Sequence, residues 1–301
     1  MFSVLDFILV VYCLVDDAYR AFLHDMRANK PLRRSGPAPK LSDAEVITML
    51  IVGEFLGFDT DEGIHRYFRQ HWGKLFPKIP DRTTFVRQAA NLWVVIAHIQ
   101  RALARHLGAF DDDCHIVDGL PMTVANINRA KRTKSFRGEA TQGYCASKKQ
   151  YFYGFHGTLL ISLSGVITGF TVTGANVDER EAAWDVLDEV IGLMLGDKGY
   201  ISRFFETLLR EQGVRLWTPV KKNMEPTTGP VTTSIFMNTR RLIETIVGQL
   251  SDRFHIERVR ARDRWHLTER VGRKILAHTI GMAFLKAAGI HTLELDRLFA
   301  T

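Results

Sequence analysis

The sequence of 301 residues lacks what would make it a disulfide-stapled, zinc-bound or membrane protein. It has three cysteines, Cys13, Cys114 and Cys145, and no CxxC pair. That points away from a disulfide framework and from a cysteine zinc site. The thiols are expected to be reduced and to pack as small apolar groups, which suits a cytoplasmic protein. The histidines show no short metal-ligand spacing, and His65 and His71, on an amphipathic stretch, are read as structural. No apolar run is long enough to span a bilayer. The opening FSVLDFILVVYCLV is too short, carries Asp6, and has neither a basic leader nor a small-residue cleavage site. It is read as a buried helix, and no membrane partner is expected. No internal repeat is present.

What the sequence does have is length for two domains and an ordinary apolar fraction. Lys plus Arg total 40 against 33 for Asp plus Glu, a net +7. That excess favours an anionic partner such as nucleic acid, although a membrane surface or an acidic protein would fit it equally.

The first third reads as helical. Ser42 with Glu45 three residues on is a capping box, and Gly57 is the stop of that helix. The segment 61–76 follows. Asp81 is placed to cap a long helix that presents Arg82, Thr83, Thr84 and Arg87 first. Helix, turn and basic helix start is how a helix-turn-helix offers side chains to a major groove, and it is equally the look of a small helical bundle. Arg82 and Arg87 are the candidates for DNA contact here.

From residue 111 the pattern changes to strands. HIVDG, YFYGFHGTLLISL and VITGFTVTG read as strands, the last two joined at Ser164–Gly165 into a hairpin. DEREAAWDVLDEVIG (helix), LMLGD (strand), ISRFFETLLREQG (helix), VRLWTPV (strand) and TRRLIETIVGQLSDRF (helix) follow, and helix continues to about Ala288. An antiparallel meander followed by alternating helix and strand is the plan of an α/β, ribonuclease H-like mixed sheet with flanking helices. The expected division is a helical N-terminal domain over 1–110, a catalytic domain over 111–290 and a tail over 291–301.

Three acids fall at the places where such a sheet gathers carboxylates. Asp118 ends HIVDG, Asp197 ends LMLGD, and Glu244 lies in TRRLIETIVGQL. A carboxylate at the tip of a buried strand is costly unless it meets a cation or hydrogen-bond donors. Gly119 and Gly199 beside the two aspartates permit close backbone approach. Hard cations such as Mg²⁺ take carboxylate oxygens, and a metal pair serves in-line phosphoryl transfer. Taken singly, each acid is equally well a turn or surface residue; the argument rests on all three together.

The motifs IVDGLP (116–121), YGFHGTLL (153–160), VTGANVDER (172–180), LGDKGYIS (195–202), PVKKNM (219–224) and TRRLIETIVGQL (239–250) resemble the DDE transposases of bacterial insertion sequences, most closely the insertion-sequence 982 family. The resemblance covers most of residues 115–285. It implies a metal-binding and catalytic triad of Asp118, Asp197 and Glu244, with Mg²⁺ as cofactor and Mn²⁺ able to substitute. It also implies cleavage at the ends of a mobile element, strand transfer into target DNA, double-stranded DNA with terminal inverted repeats as partner, and a homodimer on DNA. Arg240 corresponds to a signature arginine that holds a phosphate, a task suited to a guanidinium fork. The signature tyrosine and lysine positions hold Met237 and Ser251, and His156 stands where the family usually has lysine. These departures keep open a second reading, a catalytically decayed copy that binds DNA as a repressor.

Lys131, Arg132, Lys134, Arg137, Lys148 and Lys149 make the stretch between the first two expected strands basic, with Phe136 and Tyr144 interleaved. Such a loop holds DNA phosphates by charge and counterion release, or is merely solvated. Lys221 and Lys222 are candidates for the same groove. The Arg-rich segment 253–274 carries interspersed acids, so helix-face ion pairing and DNA contact are equally good readings of it. The five tryptophans are read as core or interface.

Overall fold

A computed structural model of the chain describes residues 3–27, 38–145, 149–219 and 230–298, with side chains in the last segment described from 238 onward. The described elements run in the order α1 (Val4–Arg27), α2 (Asp43–Phe55), α3 (Asp61–His71), α4 (Arg82–Ala90), α5 (Trp93–His106), β1 (Cys114–Asn126), β2 (Thr141–Cys145), β3 (Gln150–Ser162) and β4 (Ile167–Gly174). Then come α6 (Glu179–Ala183), β5 (Gly192–Leu195), α7 (Arg203–Glu211), β6 (Val214–Trp217), α8 (Pro230–Asp252) and α9 (Arg264–Ala287). They form two compact units, residues 1–103 with 252–301, and residues 104–251.

The first unit is helical. Ser42 Oγ accepts the N–H of Glu45 at 3.1 Å while Glu45 Oε2 accepts the N–H of Ser42 at 2.6 Å, which is the expected capping box. Gly57 follows the end of α2 at φ 78°, a conformation glycine adopts without a Cβ clash. Asp81 caps α4 through the Thr84 N–H at 3.0 Å. The long helix expected from that cap is two helices, because the backbone turns at Asn91–Leu92 before α5. α1 buries Phe7, Ile8, Val11 and Val15 and leaves Leu5 and Leu9 exposed, so it is a one-sided core helix. Among the described residues no helix is long and apolar enough to cross a membrane. Phe7 meets Phe55 and Phe284 edge-on at 4.9 and 5.8 Å, a geometry aromatic pairs favour.

The two compact units divide the chain differently from the expected domains. α9 packs with α2 and α4 in the helical unit rather than with the sheet. The reason is electrostatic as well as apolar. Arg273, wholly buried, reaches Glu54 at 2.6 Å and Asp61 at 2.5 Å, and Lys274 reaches Glu54 at 2.5 Å. Arg270 pairs with Asp61 as well. Of the two readings of the Arg-rich segment, internal ion pairing therefore accounts for Arg270, Arg273 and Lys274. Residues 291–298 are no loose tail, since Leu295 and Leu298 are buried.

The second unit is built on a mixed sheet in the order β2-β3-β1-β5-β6, with β4 also on β3. β1 and β3 pair antiparallel along almost their whole length. The other edge of β3 carries β2 against residues 150–154 and β4 against residues 155–161, end to end. β1–β5 and β5–β6 are parallel. The hairpin expected at Ser164–Gly165 is present, with Gly165 at φ 81°. β1 runs to Asn126, well beyond the short HIVDG, and β2 occupies part of the stretch read as a basic loop. One face of the sheet is covered by α6, α7 and the turn between α6 and β5. Val117, Leu160, Val186, Met194, Phe205 and Leu209 form that core, with Trp184 edge-on to Phe205 at 5.3 Å. Each such side chain taken fully out of water contributes about 1.5–3 kcal/mol.

Candidate active site

The parallel pairing of β1 with β5 ends at Ile116 opposite Leu195. Asp118 and Asp197 each lie two residues beyond that last pair. The register therefore sets both at the same level, at the carboxyl end of β5, where open α/β sheets collect ligands. Asp118 is half-buried and Asp197 exposed. Asp118 Oδ1 accepts the N–H of Gly119 at 2.8 Å, and Asp197 Oδ1 accepts the N–H of Gly199 at 2.7 Å. Each aspartate thus has one oxygen fixed by the backbone beside it.

Glu244 is on α8, one turn after Arg240, whose Nε donates to Glu244 Oε1 at 2.8 Å. Both side chains are well exposed, 62% for Arg240 and 57% for Glu244. The three acids share one electrostatic neighbourhood. Burial pushes the Asp118 carboxyl up to about 6 from 3.8, the Gly119 N–H and Arg240 oppose the rise, and Asp197 and Glu244 add to it. Arg240 is raised by its bond to Glu244 and by the charges of Asp118 and Asp197.

The structure adds residues that the sequence reading left without a role. Glu179, the first residue of α6, is pushed up to about 7 by burial and then by Asp197, Asp118 and Asp178. His156 Nε2 lies 3.8 Å from Glu179 Oε1, and burial lowers the imidazole pKa. Gly119 makes room for this ring, since a Cβ there would run into His156 Cε1 and lie 2.7 Å from Nε2. Tyr200 is wholly buried, and Glu179, Asp118 and Asp197 all bear on its hydroxyl. Glu179 lies in VTGANVDER, a motif legible in the sequence, but next to Asp178, which takes the N-cap and pairs with Arg180 at 2.5 Å. Nothing local distinguishes the acid that faces the site from the one that caps the helix.

Among the described residues, no three His, Cys, Asp or Glu side chains stand close enough together to hold a metal ion. Asp118, Asp197 and Glu244 are neighbours in charge but not a closed ligand set. Their chemistry nonetheless suits a hard divalent cation. The donors are all carboxylate oxygens, Asp118 is raised by burial and then by the neighbouring acids, and the buried Tyr200 hydroxyl has no partner among the described residues.

Of the basic candidates, Lys131 and Arg132 end a 3₁₀ turn, Ile127–Arg132, and Lys134 and Arg137 follow it. All four are exposed, as is Lys149 at the start of β3. Phe136 is buried edge-on to Phe155 and does not interleave with them. Tyr144 is exposed and lies beside the exposed Tyr151 across the β2–β3 hairpin, ring centroids 4.9 Å apart. In the helical unit Arg87 is exposed, and Arg82 pairs with Glu62 at 2.9 Å. His65 is held by the carbonyl of Pro80 at 2.8 Å, a structural contact. Lys148, Lys221 and Lys222 lie outside the described residues, as does the side chain of Met237.

Residues 109–264 match the model of a family described as Transposase DDE domain. Among solved structures, the chain is similar to a piggyBac transposase in a synaptic complex with hairpin DNA, at 8% identity and a TM-score of 0.48 over 96% of this chain and 76% of that one. It is also similar to a chain of a pre-cleavage Mos1 transpososome, at 9% identity and a TM-score of 0.24 over 90% of this chain and 93% of that one. No curated protein matches it by sequence.

Proposed function

Because the chain belongs to the family of transposase DDE domains, we propose that it is a DNA transposase whose triad Asp118, Asp197 and Glu244 directs cleavage at element ends and strand transfer into target DNA. The observation that carries this reading is the β1–β5 register, which sets Asp118 and Asp197 at one level just past the end of β5; Glu244 on α8 bears on the same carboxyl. A ribonuclease H-like assignment is supported by a sheet that begins antiparallel (β1, β3, β4) and continues parallel (β5, β6).

Asp118 and Asp197 would hold Mg²⁺, or Mn²⁺ in its place, through the oxygens not committed to Gly119 and Gly199. Glu244 would join them by leaving Arg240, a surface pair one helical turn apart that costs only about 0.3–0.5 kcal/mol to break. When bound, a cation pair supplies neutralisation of the attacking and leaving oxygens of an in-line displacement. Arg240, once released, offers its guanidinium fork to a phosphate. Lys131, Arg132, Lys134 and Arg137 would hold the DNA backbone by charge, with Lys148, Lys149, Lys221 and Lys222 proposed beside them and Arg82 and Arg87 proposed for the helical unit. Cutting two element ends together calls for a homodimer on DNA.

The test is incubation of the purified protein with Mg²⁺ or Mn²⁺ and a plasmid carrying its own terminal inverted repeats, beside Asp118→Ala. Cutting at the repeat ends that the substitution abolishes is the expected result. Tight binding to the repeats with no cutting overturns the enzyme reading in favour of a DNA-binding repressor. Cutting without preference for the ends makes it a nuclease.

A further inference from the structure

The β2–β3 hairpin carries two aromatic rings that the fold does not use. Tyr144 and Tyr151 stand directly opposite each other across it, and they are 54% and 60% exposed. Their ring centroids are 4.9 Å apart and their planes are tilted by 53°, so the rings form an open wedge rather than closing on each other. The other aromatic residues of the hairpin are engaged. Phe152 is buried, and Tyr153 donates its hydroxyl to the Phe136 carbonyl at 3.2 Å. Large rings left side by side in water are the exception that calls for a partner.

The surroundings of the pair say what that partner is. Side chains alternate along a strand, so Tyr153 and Phe155 share the face of Tyr151. Phe136 lies on that face, with its ring edge-on to Phe155 at 5.0 Å. It is held at φ 55°, a conformation that a bulky residue rarely adopts. The basic segment is therefore pinned against the sheet beside the tyrosines. Asn126, from which its 3₁₀ turn starts, is paired with Phe152. Arg129, Lys131, Arg132, Lys134, Arg137 and Lys149 are all exposed, and none of them forms an ion pair among the described residues. Glu139 is the one acid in the stretch 127–149. Arg82, Arg270 and Arg273, by contrast, are already held by acids. Leu159, on the same face of β3 as Tyr151, is opposite Asp118. Eight residues of strand put the tyrosine pair roughly 26 Å from that point.

Uncommitted cations call for phosphate, and open ring faces call for another flat apolar face. An intact duplex presents only base edges in its grooves. A base that has left the stack offers its face as well, and an aromatic ring takes it with little regard to sequence. We propose that Tyr144 and Tyr151 form a stacking site for an unpaired nucleobase of the DNA strand whose phosphates lie along the adjoining basic segment. The wedge takes a base at a strand end or at a break in pairing, while the cations hold the backbone on either side of it. This inference rests on the transposase reading only for DNA as the partner.

The experiment measures binding of the full-length protein, by fluorescence anisotropy, to three labelled probes: a mixed-sequence single strand, the same strand made abasic at its central positions, and a fully paired duplex. The abasic strand keeps its phosphates, so the ratio of the two single-strand affinities reads the bases alone. The wild type is expected to prefer the base-bearing strand at least about fivefold, the scale of one base–aromatic stack. The double variant Tyr144→Ala, Tyr151→Ala should bring that preference to within about twofold of equality and leave duplex affinity unchanged. Tyr144→Phe with Tyr151→Phe keeps the rings and should keep the preference. Lys131→Ala with Lys134→Ala should weaken both single strands together and leave the ratio standing. Phe204→Ala, which removes an exposed ring on α7, should change nothing. A wild type that binds the probes without preference for bases, or an alanine double variant that retains the preference, overturns the stacking site and leaves the transposase reading in place. Loss of self-association in that variant with the preference intact also overturns it, and assigns the pair to contact between copies of the chain. A wild type that binds none of the three probes overturns DNA as the partner as well.

Discussion

The raised Asp118 makes a prediction about stability that is separate from catalysis. Its carboxyl stands at about 6 against 3.8 in water, roughly two units, and at about 1.4 kcal/mol per unit the ionised form costs the fold up to about 3 kcal/mol at neutral pH. Asp118→Asn removes the charge and keeps an oxygen to accept the Gly119 N–H. In chelator at pH 7.5 the variant should therefore be more stable than wild type by roughly 1–3 kcal/mol, since partial exposure and relaxation reduce the full figure. Because the native state binds the proton more tightly than the unfolded chain, the penalty is full above about pH 6 and fades as pH falls through about 6 towards 3.8. The two proteins should converge near pH 4. Added Mg²⁺ should raise the wild type and leave the variant nearly unmoved, which also closes the gap. The assay is urea unfolding followed by circular dichroism across pH, with and without metal. An Asn variant equal to or less stable than wild type at pH 7.5 in chelator would refute the account of a charge held at a cost.

Three further outcomes follow from the same arrangement. Glu244→Gln should abolish repeat-end cleavage while changing stability by less than about 0.5 kcal/mol, as its bond to Arg240 is an exposed surface pair; a variant that still cuts at wild-type rate removes Glu244 from the triad. Replacing Lys131, Arg132, Lys134 and Arg137 together with Ala should lower the slope of log affinity for duplex DNA against log salt by about 3–4, at about 0.9 per phosphate contact. An unchanged slope in that titration would take the segment off the DNA path. In the helical unit, Arg273→Met leaves Glu54 and Asp61 buried with less opposing charge, and should cost about 3–5 kcal/mol in urea unfolding. A loss under about 1 kcal/mol would mean that the cluster does not hold α9 in place.

Several elements were legible because their cause lies within a few residues. The Ser42–Glu45 box, the Asp81 cap and the Ser164–Gly165 turn are local hydrogen-bond and backbone patterns. β3, β5, α7 and β6 follow from periodicity and turn chemistry in the same way. Where a local signal was present but weak, the reading fell short. β2 is only Thr141–Cys145, in a stretch whose charge suggested a loop, and it exists because the outer edge of β3 is free beside the end of β4. α6 ends after Ala183, much sooner than its helical pattern implies, and gives way to a 3₁₀ turn over Trp184–Val186.

On its own the sequence picked out Asp118 and Asp197 beside buried apolar runs, because those runs and the glycines after Asp118 and near Asp197 encode strand and close approach within short windows; that Asp118 lies within β1 rather than at its end was not legible. It also set the broad family, that of transposase DDE domains, since motif order is a property of the chain itself. Tertiary structure alone decided that Glu179, not its neighbour Asp178, turns towards Asp118 and Asp197, and that α9 belongs with α2 and α3 through partners as far as 219 and 220 residues apart. Those choices are made by burial of charge, and a buried charge takes whichever partner the packing brings to it, at a distance along the chain that no local pattern records.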